Sequence, residues 1–380
     1  MVLTWGVIAS NYSLQMAQSI MSRQHGILKI PSDILNTGVT QKAFRKVVQL
    51  YPDHPLTPAI EDYIQKSVDS TLETLADPQN DTKLPLDRLS NGNELINLFK
   101  QTTNFTYKDT ILALRDSIDY QPRNSENGLW YYIYPNWSYL DGMYSFGPFQ
   151  ADYIKYFGDW LGTKSLDLLD QFYLLREHCK HNNTGLLVHG YDESKKAVWA
   201  NPNTGASPHV WGRSLGWYLT ALVDTLEVFP FPPHSPQHDS FKSLLNNVAS
   251  AVMTATDPAS GLWWQVMDSP GKEGNYIESS GSAMFIYALF KGARLGYLDA
   301  PVRAKGIAKR GYENLVDRFV VRNDNGTLGW NGTVAVCSLN STASYEYYVG
   351  QPILYNSPLG EGAFVLASVE YEMFDNGNLS

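Results

Sequence analysis

The chain has 380 residues and a formal net charge of −9, with 43% hydrophobic and 18% charged residues. That composition supplies a core and excludes a disordered chain, and the acidic balance, with no basic run beyond Lys195–Lys196, excludes a nucleic-acid footprint. No apolar run approaches the ~20 residues that cross a bilayer, and two cysteines, Cys179 and Cys337, exclude a disulfide framework and a Cys-based metal cluster.

From the start, residues 1–10 are apolar but short and lack a basic leader, so they are at most the remnant of a signal peptide. Residues 12–23 then place Leu14, Ala17, Ile20 and Met21 on one helical stripe. Pro31, Pro52 and Pro55 break the stretch that follows. Helical periodicity returns over 109–120, 166–180, 214–228, 240–255, 282–295, 302–319 and 360–373, with a rigid Pro-rich loop from Phe229 to Pro236. Strand signals are few: 129–134, 262–266 and 332–337. No composition shift divides 1–380, so a single domain is expected. The count approaches about twelve helices at roughly 30 residues per helix and loop, which suits an all-α, closed double ring, an (α/α)6 barrel; the spacing also permits a helical solenoid.

Two features bear on setting. Aromatics reach 13%, with 24 Tyr and 10 Trp, and such side chains pair an apolar face with a polar handle suited to sugar rings, or equally to a Tyr-rich core. Sequons begin at Asn11, Asn80, Asn104, Asn136, Asn182, Asn325, Asn331, Asn340 and Asn378, an excess that favours a secreted glycoprotein.

Four segments mix aromatics, glycine and single charges where a plain helix would alternate apolar and charged residues. In the first, 130–144, Asp141 stands within four residues of Trp137, Tyr139 and Tyr144. Aromatic walls disfavour carboxylate anions, as general-acid chemistry requires, although a helix cap would use the same residue. The second, 188–202, offers His189 and Asp192 as acid/base groups or ligands, or as loop hydrogen-bonders. The third, 207–218, sets Trp211 and Trp217 around Arg213, a planar fork that can hold a carboxylate or satisfy a buried salt bridge. The fourth, 274–285, carries Glu278 in a serine cluster, an arrangement that suits capping. There is no phosphate loop, no Gly-x-Ser-x-Gly elbow and no His-Glu-x-x-His helix, so metal and nucleotide cofactors have no support.

Taken in order, Tyr134-Pro135, Leu140-Asp141-Gly142, His189-Gly190-Tyr191-Asp192-Glu193-Ser194, the whole of 207–218, Gly261-Leu262-Trp263-Trp264, Asn275-Tyr276-Ile277-Glu278 and Tyr345-Glu346-Tyr347-Tyr348 resemble the unsaturated rhamnogalacturonyl hydrolases, glycoside hydrolase family 105, from Tyr12 onward. The resemblance implies an (α/α)6 barrel with its active site in the central cleft. It implies release of a terminal 4,5-unsaturated uronic acid from pectin-derived oligosaccharides, with Asp141 as general acid and base and Asp87 as the second acidic position. His189 is expected to orient the sugar or water, Trp211 and Trp217 to stack, and Arg213 to meet the uronate. Where relatives often carry Trp two residues before the catalytic Asp, this chain has Tyr139, whose hydroxyl is expected to reach Asp141 or the sugar. A glycan on Asn136 would crowd the cleft, so that residue is expected to be buried or unmodified. The expected partner is an oligosaccharide alone, met by a monomer. A uronate lyase using His189 and Arg213 is the rival, and unsaturated glucuronyl substrates are the alternative within the hydrolase reading.

Overall fold

The computed structural model describes residues 11–159, 161–181, 184–375 and 377. Fourteen helices appear among them: α1 (Tyr12–Arg23), α2 (Ile34–Leu50), α3 (Thr57–Asp69), the short α4 (Pro78–Asp81), α5 (Gly92–Thr102), α6 (Phe105–Tyr120), α7 (Gly142–Phe157), α8 (Thr163–His178), α9 (Gly212–Glu227), α10 (Pro236–Thr254), α11 (Ser279–Arg294), α12 (Pro301–Phe319), the short α13 (Tyr345–Val349) and α14 (Pro358–Asp375). Without the two short ones, twelve remain, and they alternate between two rings.

The inner ring runs α2, α5 with its leading 3₁₀ turn Leu86–Asn91, α7, α9, α11 and α14, and α14 packs on α2 to close it. Each outer helix lies against an inner neighbour: α1 on α14, α3 on α2, α6 on α5, α8 on α7, α10 on α9 and α12 on α11. The chain is therefore an all-α (α/α)6 barrel, and closure of the inner ring rules out the open solenoid.

The packing explains the sequence pattern. Outer α12 keeps a narrow buried stripe of Ala304, Ala308, Gly311, Tyr312, Leu315 and Phe319. Inner α9 is buried from Gly212 to Leu226, because it touches the barrel axis on one side and the outer ring on the other. The Pro-marked early stretch holds two full helices, α2 and α3, since Pro58 stands in the first turn of α3, where no amide hydrogen is needed.

The strand expectations need correction. Only short ladders form: β1 (Trp137–Tyr139) pairs antiparallel with β2 (Gly190–Asp192), β3 (Val320–Arg322) with β4 (Leu328–Trp330), and β5 (Thr333–Val334) with β6 (Ile353–Leu354). The expected strand 129–134 is reduced to a bridge between Leu129 and Arg123, and 262–266 to bridges at Trp264 and Val266. Within 332–337 only Thr333 and Val334 are in a strand. Loops on the rim of a helical ring have no long sheet edge to join. Cys179 and Cys337 are buried free thiols. No described helix is long and apolar enough to cross a membrane.

Candidate active site

The β1–β2 ladder sets the site. Tyr139 pairs with Gly190, and the next amide, Leu140 N–H, donates to the His189 carbonyl at 3.1 Å. Two segments distant in sequence are thereby pinned together where α7 begins.

Asp141 stands at the N-cap position of α7, yet its side chain accepts nothing from the helix amides. The capping explanation therefore fails. Instead Oδ2 accepts from Ser214 Oγ, in the first turn of α9. His189 Nε2 lies 3.3 Å from the same oxygen, without hydrogen-bond alignment. Among the described residues no hydrogen bond occupies Oδ1, and the carboxyl lines a cavity of about 80 Å³. Asp87, Tyr139, Trp211, Arg213 and Trp217 share that wall. The cavity lies where the inner helices start: Leu35 in α2, Asp87 before α5, Asp141 before α7, Trp211 before α9 and Leu359 in α14. Converging helix N-termini carry partial positive charge and favour an anionic ligand.

The other side chains divide by what they touch. Asp87 accepts from the Tyr131 hydroxyl at 2.8 Å, and Tyr131 stacks on Tyr139 with centroids 4.4 Å apart. Burial first, and then the Asp141 charge, push the Asp87 carboxyl up to about 7, against the pull of the Tyr131 bond. His189 is wholly buried and does not belong to the cavity wall. Its Nδ1 is 2.8 Å from the Tyr348 hydroxyl, so its reach is to the Asp141 carboxyl and not to a sugar. The Tyr139 hydroxyl is buried and makes no hydrogen bond to Asp141, which leaves only the sugar half of the expectation for it.

Arg213 also departs from the expected fork. Nη1 donates to the Val334 carbonyl at 2.6 Å and Nη2 to that of Ala335 at 2.8 Å, while Nε has no partner. Its guanidinium lies 4.9 Å over Trp211. Among the described residues it makes no ion pair with a carboxylate, so a buried positive charge borders the cavity without a counter-ion. Trp211 is held by Nε1 donating to Gln265 at 3.1 Å, and Trp217 packs on Tyr144 with centroids 4.4 Å apart. Both are almost fully buried, each presenting only part of a ring.

Two sequence candidates are spent on structure. Asp192 accepts four bonds from Ser194, Lys196 and Ala197 and so ties its own loop. Glu278 caps α11, accepting from Gly281 N–H at 2.7 Å. Conversely, Ser214 and Tyr348 carry no local signal of their own, since only the fold brings them to Asp141 and His189. Asn136 is half-buried with φ 66°. Sequons Asn182 and Asn378, and the apolar start 1–10, lie outside the described residues.

The Asp87 shift gives a test with a definite sign. A carboxyl raised in the fold binds an extra proton between its unfolded value near 3.8 and its folded value of about 7, so wild-type stability falls as pH rises through that window. Asp87→Asn is neutral throughout. Thermal midpoints at pH 5 and pH 8 should show the variant's margin over wild type growing at the higher pH. An equal margin at both pH values would contradict the assignment.

Comparison with known proteins gives a consistent picture. Residues 12–375 match the model of Glycosyl Hydrolase Family 88. A family 105 glycoside hydrolase of C. acetobutylicum ATCC 824 superposes with a TM-score of 0.85 at 37% identity, over 96% of this chain and 100% of that one. The Agrobacterium fabrum protein Atu3128 is 35% identical over 235 residues, 59% of this chain and 96% of its own length. An unsaturated glucuronyl hydrolase from Bacillus sp. GL1, responsible for degradation of glycosaminoglycan, shares the fold at a TM-score of 0.68 and 12% identity, over 97% of this chain and 96% of that one. An all-α double ring matched along nearly its whole length in this way makes the chain a member of glycosyl hydrolase family 88/105, the unsaturated uronyl hydrolases.

Proposed function

We propose that the protein releases the terminal 4,5-unsaturated uronic acid from pectin-derived, rhamnogalacturonan-type oligosaccharides by hydrating the C4=C5 double bond, with Asp141 as general acid and base. The observation that carries this reading is the Asp141 carboxyl itself: one oxygen is held by Ser214, and the other is free in an aromatic cavity. Ordinary glycosidases divide the work between two carboxyls at a set separation. An enol-ether sugar needs one.

The protonated carboxyl gives its proton to C4, and the π electrons of C4=C5 form that C–H bond. The positive charge left at C5 is shared with the ring oxygen. Water then adds at C5, and its proton returns to the Asp141 carboxylate, so the acid is regenerated. The resulting hemiketal opens, the aglycone departs, and a keto acid remains. The uncompensated Arg213 charge and the helix N-termini support uronate binding by attraction, in place of a two-pronged clamp. Asp87, neutral below about 7, is suited to donate a hydrogen bond to a ring hydroxyl or to the water.

His189 acts through Asp141. If Tyr348 donates to Nδ1, the ring proton is left on Nε2, 3.3 Å from Oδ2. Tyr348→Phe should then lower kcat roughly tenfold, the equivalent of one well-made hydrogen bond, while KM stays put. A matching rise in KM with kcat intact would assign Tyr348 to sugar binding instead.

The same proposal takes the protein to be secreted and glycosylated, which exposed sequons at Asn80, Asn104, Asn325, Asn331 and Asn340 support. The deciding assay is a panel of 4,5-unsaturated disaccharides differing in the sugar after the uronate, followed by ultraviolet absorbance. Rhamnose-linked substrate should lose absorbance fastest. Faster loss from glucuronyl-type substrates would move the preference to those, and absorbance created from intact polymer would make the protein a lyase.

A further inference from the structure

A second cavity, of about 560 Å³, opens at the opposite mouth of the barrel, where the inner helices end, and of the four segments described above only Tyr144 reaches it. Its wall has six cationic and four acidic side chains, a local reversal in a chain whose formal net charge is −9. Helix C-termini favour cations, and most of these are paired. Arg45 grips Glu94, with Nε 3.1 Å from Oε1, and Lys100 reaches Asp152 at 3.4 Å. Lys42 and Lys291 both close on Asp224.

Pairing leaves a remainder. Lys46 is 3.6 Å from a Glu227 oxygen that Lys291 already holds at 2.6 Å. Lys155 makes no ion pair among the described residues. Tyr144 supplies an independent sign. Its ring walls this cavity and is 3% exposed, yet its hydroxyl has no hydrogen-bond partner among the described residues. A buried hydroxyl left unpaired is costly, and neither the helix dipoles nor the ion pairs account for it. The space far exceeds what a small inorganic anion fills and falls in the range of small-molecule sites. Gln49, Asn97 and the half-exposed ring of Tyr156 line it: amides for hydroxyls and an aromatic face for a sugar ring.

We infer that this far mouth is a second carbohydrate site, taking a carboxylate-bearing sugar whose acid group is drawn by Lys46 and Lys155 and one of whose oxygens accepts from the Tyr144 hydroxyl. The site does not depend on the assignment of Asp141. Saturated digalacturonate, which has no double bond to hydrate, is the probe, titrated calorimetrically into the whole protein. The Lys46→Gln/Lys155→Gln double variant should lose one bound equivalent per chain relative to wild type, whatever the catalytic cavity binds. It should keep wild-type turnover of an unsaturated disaccharide. Tyr144→Phe should weaken the same equivalent and raise the melting temperature of the free protein, because an unpaired hydroxyl is gone. Equal stoichiometry and affinity in wild type and double variant would overturn the proposal. So would inorganic phosphate occupying the lysine-dependent site while digalacturonate does not.

Discussion

Replacing Asp141 with Asn should reduce hydration of an unsaturated disaccharide by about 10²-fold or more, with no loss of thermal stability. The two halves of that expectation come from the same geometry. Asn keeps the shape and can still accept from Ser214 Oγ, and α7 loses no cap, since the Asp141 side chain makes none. What disappears is an acidic proton for carbon and a carboxylate to take one back from water. Loss of absorbance on a fixed substrate, measured beside the melting curve, separates the possibilities. A variant that retains activity within a few-fold would remove Asp141 from the chemistry, whereas one that melts early would make it a structural residue.

The largest effect on stability is expected on the far side of the barrel. Asp224, in α9, is almost fully buried and receives Lys42, Lys291 at 2.6 Å and the Tyr287 hydroxyl at 2.8 Å. Burial alone would raise its carboxyl, but the charges of Lys291 and Lys42 outweigh it and hold Asp224 well below the usual carboxylate range. Asp224→Asn would leave two ammonium groups facing each other in the interior without the anion that both hold. Breaking a buried pair in this way costs about 3–5 kcal/mol, measurable as a fall in denaturant midpoint. The sign with pH follows from the depressed carboxyl: its contribution is complete above the unfolded value near 3.8 and is lost only in stronger acid. The gap between wild type and variant should therefore persist from pH 8 to pH 5. A gap that closes in that range, or a midpoint shift well under 1 kcal/mol, would show that Lys42 and Lys291 are satisfied without the carboxylate.

Charge placement ties the two ends of the barrel to one construction. Inner helices of common direction gather their starts at one mouth and their ends at the other. The first mouth holds the unpaired Arg213 and the Asp141 carboxyl. The second collects lysines and the acids that hold them. Between the mouths the Tyr144 ring packs at a tilt against Trp217 of the Asp141 cavity on one side and lies beneath the Lys42 ammonium, at 4.5 Å, on the other.

By itself, the sequence determined the helical class and the family, and it pointed to Asp141 as the candidate acid. Outer helices such as 12–23 and 302–319 face solvent on one side, so their apolar residues recur at helical spacing and can be read directly. The motif around Asp141 is contiguous, and its chemistry needs residue types that local sequence displays. The tertiary structure alone decided the rest. Inner α7, with Gly147 and Pro148 inside it, and α2, which buries Thr37, Gly38, Thr40 and Gln41 among its apolar residues, show no single apolar stripe and escaped the periodicity. Whether His189 meets the sugar or the carboxyl, whether Arg213 grips a uronate or backbone carbonyls, and which hydroxyls hold Asp141 and His189 depend on contacts between segments far apart in the chain. Spacing along one segment carries no information about the distance between two, and in this barrel that distance is set by ring closure.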